Sequence, residues 1–352
     1  MKLIEHPLYK QDIKEAAEFP LKWSFLENRS VLIAGATGMI GSFLIDVLMY
    51  RNRYCSLGCN IIAIGRNCDK AERRFSDYWN DSKFRFVEAN ININIDHNLS
   101  NIDYIIHAAS NTHPLAYATD PIGTVEANVI GTRNLLELAA RQKDCRFVFV
   151  SSVEIYGENR GDCERFREDY CGYIDCNTLR AGYPESKRVG EALCQAYIKQ
   201  KELDVVIARL SRVYGPTMLV SDPKALSQFI KKAIADEDIV LKSAGTQCYS
   251  YSYVADAAVS LLYCMCYGEC GEAYNVSDSQ SDIALQGLAK IIADYAGRSV
   301  VFELPDEVEN AGYSKATKAV LDSSKLCSIG WYAGWNLKTG LEHTIQILKD
   351  IR

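Results

Sequence analysis

Ser30-Val-Leu-Ile-Ala34-Gly35-Ala-Thr37-Gly38-Met39-Ile40-Gly41 is the stretch on which the reading of the fold turns. Its first half is a short continuous apolar run, as expected of a parallel strand buried on both faces. Its second half spaces glycines as G-x-x-G-x-x-G, directly before an apolar helix from Met39 to about Tyr50. Glycines there permit a tight turn, close approach of backbone to a pyrophosphate and close helix–strand packing, while the helix N-terminus meets the phosphates. Gly35, Thr37, Gly38, Met39, Ile40 and Gly41 are therefore expected to hold a dinucleotide.

Working outward, further strands are expected at Asn60 to Ile64, Phe84 to Val87, Tyr104 to His107, Cys145 to Ser151 and Val205 to Leu210. Helices separate them around Lys70–Trp79, Gly123–Arg141 and Pro184–Lys201. This alternation predicts an α/β fold, a Rossmann-type doubly wound parallel sheet with right-handed crossovers. Residues 1–28 read as a helical arm docked by Phe19, Leu21, Trp23, Phe25 and Leu26. Residues 29–215 read as the dinucleotide-binding domain, and 216–352 as a smaller mixed α/β substrate lobe with some segments interleaved. In that lobe helices are expected near Lys224–Asp236, Val254–Tyr267 and Ala284–Ala296, with strands near Ile239–Lys242 and Val300–Leu304. Such a lobe covers the strand C-terminal edges, where open α/β sheets bind ligands.

With 352 residues, 48% of them apolar, the chain can bury a sizeable core. A net charge of -6 and no basic block exclude nucleic acid as the expected partner. No leader or long apolar run is evident, so a cytoplasmic protein without a membrane span is expected. The 13 cysteines are odd in number and lack zinc-site spacing, so free thiols and no metal are expected. Cys264 and Cys266 read as packing residues of an apolar helix.

The end of the second strand, Ala63-Ile64-Gly65-Arg66-Asn67-Cys68-Asp69, leaves two readings open. Arg66 could stack on adenine or neutralise a 2′-phosphate, which favours NADP; Asp69 could reach the ribose hydroxyls, which favours NAD. Asn90 and Ile91, past the third strand, are placed to meet the adenine edge.

Chemistry is carried by Tyr183-Pro-Glu-Ser-Lys187 at the mouth of a helix, about 30 residues after Ser151-Ser152. A phenol acting as a base near neutral pH must fall ~3 units below its ordinary value, roughly 4 kcal/mol of phenolate stabilisation. Lys187, one turn away, supplies positive charge on the same face, and Pro184 suits the first turn, whose positive end adds to it. The Ser152 hydroxyl completes a proton relay.

Together with His107-Ala108-Ala109-Ser110, Asp120-Pro-Ile-Gly-Thr124, Asn128-Val-Ile-Gly-Thr132, Ser151-Ser-Val-Glu-Ile-Tyr-Gly157, Arg209 to Pro216 and Tyr253-Val-Ala-Asp256, these motifs resemble the extended short-chain dehydrogenase/reductases. The resemblance is to their nucleotide-sugar epimerase/dehydratase/decarboxylase branch, from about Ser30 to about Leu348. The block Glu168-Asp-Tyr-Cys-Gly-Tyr through Arg180-Ala-Gly-Tyr183 to Lys187-Arg-Val-Gly-Glu191 is most similar to the UDP-glucuronate decarboxylases. The resemblance implies that Tyr183 takes the proton of a sugar 4-hydroxyl, that Ser152 hydrogen-bonds that oxygen, and that Asn128 supports the relay. It implies that His107, Ala108 and Ala109 line NAD, and that Ser110, Thr112 and His113 lie along the substrate loop, where His113 offers a proton donor. The implied substrate is a nucleoside-diphosphate sugar passing through a 4-keto intermediate, and the implied assembly a homodimer through the helices carrying Asn128 and Tyr183. Because the hydride returns within one cycle, tightly held NAD is favoured over exchanging NADPH.

The chain departs from the family pattern at three positions. Val153 stands where dehydratases carry an acid and decarboxylases a serine; Glu154 is kept, as a base near C5 or a ring-orienting acceptor. Arg212 stands where asparagine is usual, and Tyr249 where arginine is usual. A diphosphate needs fork-like donors, so Arg212 is expected to bind it, with Tyr249 lending a hydroxyl. Tyr249, Tyr251, Tyr253, Trp331 and Trp335 could stack on a base or sugar, although Tyr-x-Tyr-x-Tyr reads as a strand with one face buried. Decarboxylation leads, 4-epimerisation follows, then 4,6-dehydration and NADPH-dependent reduction; a non-catalytic dinucleotide sensor is the reading from another class.

Overall fold

Residues 1–93, 95, 99–112, 117, 119–219, 221–303 and 317–352 are described by the computed structural model. The chain runs through α1 (Pro7–Glu18), β1 (Ser30–Ala34), α2 (Met39–Cys55), β2 (Asn60–Gly65), α3 (Cys68–Arg74), β3 (Phe84–Glu88) and β4 (Tyr104–His107). It continues through α4 (Pro121–Ala140), β5 (Arg146–Ser152), α5 (Gly182–Lys201), β6 (Asp204–Leu210), β7 (Arg212–Tyr214), α6 (Ala225–Ile234), β8 (Ile239–Leu241) and β9 (Cys248–Tyr253). It finishes with α7 (Val254–Tyr267), β10 (Ala273–Val276), β11 (Asp282–Ala284), α8 (Leu285–Ala296), β12 (Val300–Phe302), β13 (Lys318–Ala319), α9 (Ser324–Ser328) and α10 (Leu337–Asp350).

Seven strands form the large sheet among the described residues, in the order β10-β6-β5-β4-β1-β2-β3. All its pairings are parallel. The order reverses between β1 and β4, which opens the crevice where doubly wound sheets take ligands. In β1 Val31, Leu32, Ile33 and Ala34 are fully buried; each larger side chain contributes about 1.5–3 kcal/mol by leaving water. α2 stays buried from Gly41 through Met49 because α1 and α7 pack over it on the side away from the sheet edge. α4 starts where Asp120 accepts a hydrogen bond from the Gly123 amide (3.1 Å), with Pro121 in the first turn.

β10 was not anticipated. It is a four-residue strand with a polar centre, yet it sits beside β6 and completes the large sheet. Its Asn275 is fully buried: Nδ2 donates to the carbonyls of Phe166 (2.9 Å) and Asp322 (3.0 Å), and Oδ1 accepts from Tyr156 (2.6 Å). The C-terminal part of the chain thus returns to the dinucleotide-binding layer.

The smaller sheet centres on β9, which pairs with β11 antiparallel and with β13 and β7 in parallel. The expectation of one buried face on β9 is corrected. Ser250 and Ser252 are as buried as Tyr251 and Tyr253, because packing covers both sides of the strand. The helix expected over Lys70–Trp79 is shorter and earlier. Asn67 caps it by accepting from the Lys70 amide (2.7 Å), and Phe75, Tyr78 and Trp79 leave it to pack on Phe84. In the arm, Phe19, Leu21 and Leu26 are buried while Phe25 is exposed. The main anchor is α1 itself, through Tyr9, Asp12, Ile13, Ala16 and Ala17. Leu304 lies outside the described residues.

All 13 cysteines are free thiols. Among the described residues no helix is long and apolar enough to cross a membrane.

Candidate active site

The turn after β1 presses against the chain leaving β4. Gly35 has φ +85°, and a Cβ there would lie 2.7 Å from the Ala108 carbonyl carbon. A Cβ on Gly41 would come within 2.4 Å of the Gly35 carbonyl oxygen. Only glycine fits either place, and α2 opens at Gly38 with the first-turn amides that a helix cannot pair internally. This is the geometry of an anion cradle. His107 is fully buried; its Nε2 meets Thr132 Oγ1 at 3.0 Å, while its buried Nδ1 has no partner among the described residues. Burial, with Lys187 adding repulsion, holds its pKa well below the ordinary value, so the ring is neutral. These features fit NAD, which Gly35, Thr37, Gly38, Met39 and Ile40 would hold at its phosphates, with Ala108 and Ala109, both half-buried, beside them.

The adenine end is less built. Arg66 and Asp69 are exposed, and Asp69 lies in the first turn of α3. Asn90 is exposed with its Oδ1 taken by the Asn92 amide (3.1 Å), whereas Ile91 is buried and its carbonyl accepts from Asn134 (2.8 Å).

Ser152 ends β5 and caps the 3-10 turn Val153–Tyr156, accepting from the Glu154 amide at 3.3 Å. Tyr183 lies in the first turn of α5, almost fully buried, with the Ser152 side chain close enough to lower its pKa. Lys187, one turn on, is buried over the Phe149 ring and donates to the Val150 carbonyl (2.8 Å). Asn128, fully buried on α4, accepts from Ser110 Oγ (2.7 Å) and donates to Ser186 Oγ (2.9 Å), which in turn donates to the Tyr183 carbonyl (2.8 Å). Asn128 thereby braces the backbone that presents the phenol.

Burial works against the acidified phenol expected from the sequence. Burial pushes the Tyr183 pKa up to about 12, Ser152 pulling it down less than burial raises it. Burial also lowers Lys187 to about 7, Glu191 opposing. In this dry pocket neither charged form is favoured until further charge is brought to the site.

Beside this pair sits a cluster that sequence reading only half located. Glu154 Oε2 accepts from Arg180 Nη2 at 2.9 Å, and Glu154 Oε1 lies 4.0 Å from Arg212 Nη2. Arg180 lies over the Tyr117 ring (5.0 Å), and Tyr117 stacks on Tyr183 with centroids 5.0 Å apart. Arg212 lies over the Tyr249 ring at 3.8 Å. Tyr249 offers Arg212 its face; the two positions are diagonal neighbours on paired strands. Arg212 is not at a distance from the sugar chemistry, since its near partner follows Ser152 by two residues. Tyr117 and Lys224 carried no signal in the sequence. Arg180 did, standing three residues before Tyr183 on the short turn Leu179–Ala181. Val153 is buried and Thr112 is exposed; His113 lies outside the described residues. Among the described residues no group of three His, Cys, Asp or Glu is placed to hold a metal.

UDP-glucuronic acid decarboxylase 1 of Danio rerio is 29% identical over 329 residues, 93% of this chain and 74% of that protein. UDP-glucuronic acid decarboxylase 6 of Arabidopsis thaliana is 31% identical over 242 residues, 68% of this chain and 67% of that protein. Among solved structures, the UDP-glucuronic acid 4-epimerase of Bacillus cereus, in complex with UDP-glucuronic acid and NAD, superposes with a TM-score of 0.78 at 23% identity. That match covers 92% of this chain and all of the other (100%). The dTDP-glucose 4,6-dehydratase of Streptomyces venezuelae, with NAD bound, gives 0.77 at 22% identity, covering 91% and 97%. The model of the NAD dependent epimerase/dehydratase family matches residues 31–277. With the glycine cradle, the buried Ser–Tyr–Lys set and this match over most of its length, the chain belongs to the NAD-dependent epimerase/dehydratase family.

Proposed function

We propose that this enzyme oxidises C4 of a nucleoside-diphosphate sugar transiently, and that its net reaction is decarboxylation of a UDP-glucuronate-like substrate. The observation that carries the reading is Ser152 beside the buried Tyr183, with Lys187 one helical turn on, at the C-terminal edge of the parallel sheet. Tyr183 takes the proton of the 4-hydroxyl, Ser152 holds that oxygen, and Tyr183 returns the proton at the end. Bound NAD supplies a hydride acceptor that is regenerated within the cycle. A carboxylate on C5 is β to the 4-ketone, so breaking its bond to C5 leaves carbon dioxide and an enolate, which takes a proton at C5 from solvent water. The cationic side chains around Glu154 suit an anionic substrate. The similarity to UDP-glucuronic acid decarboxylases over most of the chain, and the resemblance of the Arg180–Lys187 block to their motif, support the same reading. We also propose that the protein is a homodimer through α4 and α5, on family resemblance.

Incubation of the enzyme and NAD with UDP-glucuronate, UDP-glucose or dTDP-glucose, followed by mass analysis, tests this. Loss of about 44 mass units from UDP-glucuronate, without net NADH, is expected. An isomer of unchanged mass would instead support 4-epimerisation, the second reading, which the apolar Val153 favours because it needs no acid there. Steady NADPH consumption would overturn both.

A further inference from the structure

Two arginines converge on Glu154 and neither is satisfied by it. Among the described residues Arg180 Nη1 and Arg212 Nε are both buried without a hydrogen-bond partner, although Glu154 stands between the two side chains. A guanidinium carries five donors in a planar fork matched to a carboxylate. Each fork here is fixed from behind by an aromatic face, Tyr117 for Arg180 and Tyr249 for Arg212. Such stacking holds a guanidinium in place while leaving its edge free to bind. Lys224 lies in the same field: burial lowers its pKa, Asp222 opposes that, and Arg212 and Arg180 add repulsion. Three cations thus face Glu154 and Asp222, and excess positive charge in a part-buried site is costly unless an anion joins it.

The location assigns the anion. Glu154 follows Ser152 by two residues, and Tyr117, which carries Arg180, is stacked on Tyr183. A sugar whose O4 meets Tyr183 has its C5 substituent one carbon away, whereas the diphosphate hangs from C1 across the ring. We propose that Arg180 and Arg212 form a clamp for the carboxylate on C5 of a uronic-acid nucleotide, and that the Glu154 carboxylate fills the clamp in the ligand-free protein. On substrate binding Glu154 is displaced toward C5 and the two orphaned N–H groups find the incoming carboxylate. This rests on the 4-oxidation reading above, and it adds the specificity: uronates over neutral hexoses, through residues at positions 180 and 212.

The test uses full-length Tyr183→Phe protein with NAD, which binds without turnover, titrated calorimetrically with UDP, UDP-glucose and UDP-glucuronate. UDP-glucuronate is expected to bind at least about tenfold tighter than UDP-glucose, the scale of one charged hydrogen bond. Adding Arg180→Gln or Arg212→Gln should abolish that preference while leaving UDP within about threefold. Arg212→Lys, which keeps charge and fold but loses the fork, should restore only part of it; melting curves report whether each variant is folded. In the active background, Arg212→Gln should raise KM for UDP-glucuronate far more than it lowers kcat. Loss of UDP affinity equal to the loss for UDP-glucuronate would assign Arg212 to the diphosphate and overturn the clamp. So would a parent protein that binds the two sugars equally or binds no UDP-glucuronate. Neither result touches 4-oxidation, which the product assay decides separately.

Discussion

At the scale of single residues, burial decides the charge states. Lys187 has a folded-state pKa depressed to about 7 by desolvation, against 10.5 when exposed. Between those values the unfolded chain binds a proton that the folded chain does not, so the stability linked to Lys187 rises with pH across that window. It is fully present above 10.5 and lost as pH falls through about 7. Urea unfolding at a series of pH values should show wild type gaining on Lys187→Met as pH increases from 7 toward 10. Parallel curves would refute the depressed value. Tyr183→Phe should lower kcat by about 10²–10⁴, the usual share of a general acid–base group, while leaving NAD retention unchanged. Cofactor content after purification and single-turnover rates measure the two effects. These residues were legible in the sequence because each belongs to a local pattern: glycines in a turn, Tyr and Lys one helical turn apart, Ser at a strand end. Their protonation was not legible, since it depends on burial by side chains from elements far apart in the chain.

At the scale of elements, two contacts can be tested. Gly41 belongs to the first turn of α2, where a methyl group would meet the Gly35 carbonyl oxygen. Gly41→Ala should destabilise by about 1–3 kcal/mol, as overpacking does, and weaken NAD binding; thermal melts with and without NAD read both. The second contact docks α1. Asp12, fully buried, accepts from Tyr253 and meets His343 Nδ1 of α10 at 2.8 Å. The Asp12 hydrogen bond raises the His343 pKa, so the stability from this pair is fully present below about 6.5 and lost as pH rises through the folded value. Asp12→Asn should cost about 2 kcal/mol at pH 6, less at pH 8, and return the His343 titration, followed by NMR, toward its ordinary value. Long periodic elements such as α5 and α7 were readable from spacing. Short strands β7, β11 and β13 were not, because two or three residues carry no period and form only where β9 offers them a partner.

At the scale of the whole molecule, the return of β10 to the large sheet ties the two parts of the chain together. A fragment ending at residue 215 lacks β10 and α7, and with them the cover on β5 and β6. Such a fragment is expected to show no cooperative thermal transition by circular dichroism. A sharp melt would mean that the boundary read from composition is a folding boundary after all. Asn275→Ala should lower stability by about 3 kcal/mol by removing the three hydrogen bonds of a fully buried side chain, to the carbonyls of Phe166 and Asp322 and from the Tyr156 hydroxyl. Doubly wound architecture was legible from the alternation of strands and helices. The interleaving was only suspected, because a four-residue segment with asparagine at its centre looks like a loop until its neighbours are known.

The stacked pair of Arg212 and Tyr249 limits what either position accepts. The two residues stand on adjacent strands, guanidinium against ring. Changing Tyr249 to arginine first would bring two like charges face to face; changing Arg212 to asparagine first would leave the site with one guanidinium fewer and the tyrosine ring bare. The two side chains are therefore coupled, and a change at either position alters the energetics of the other.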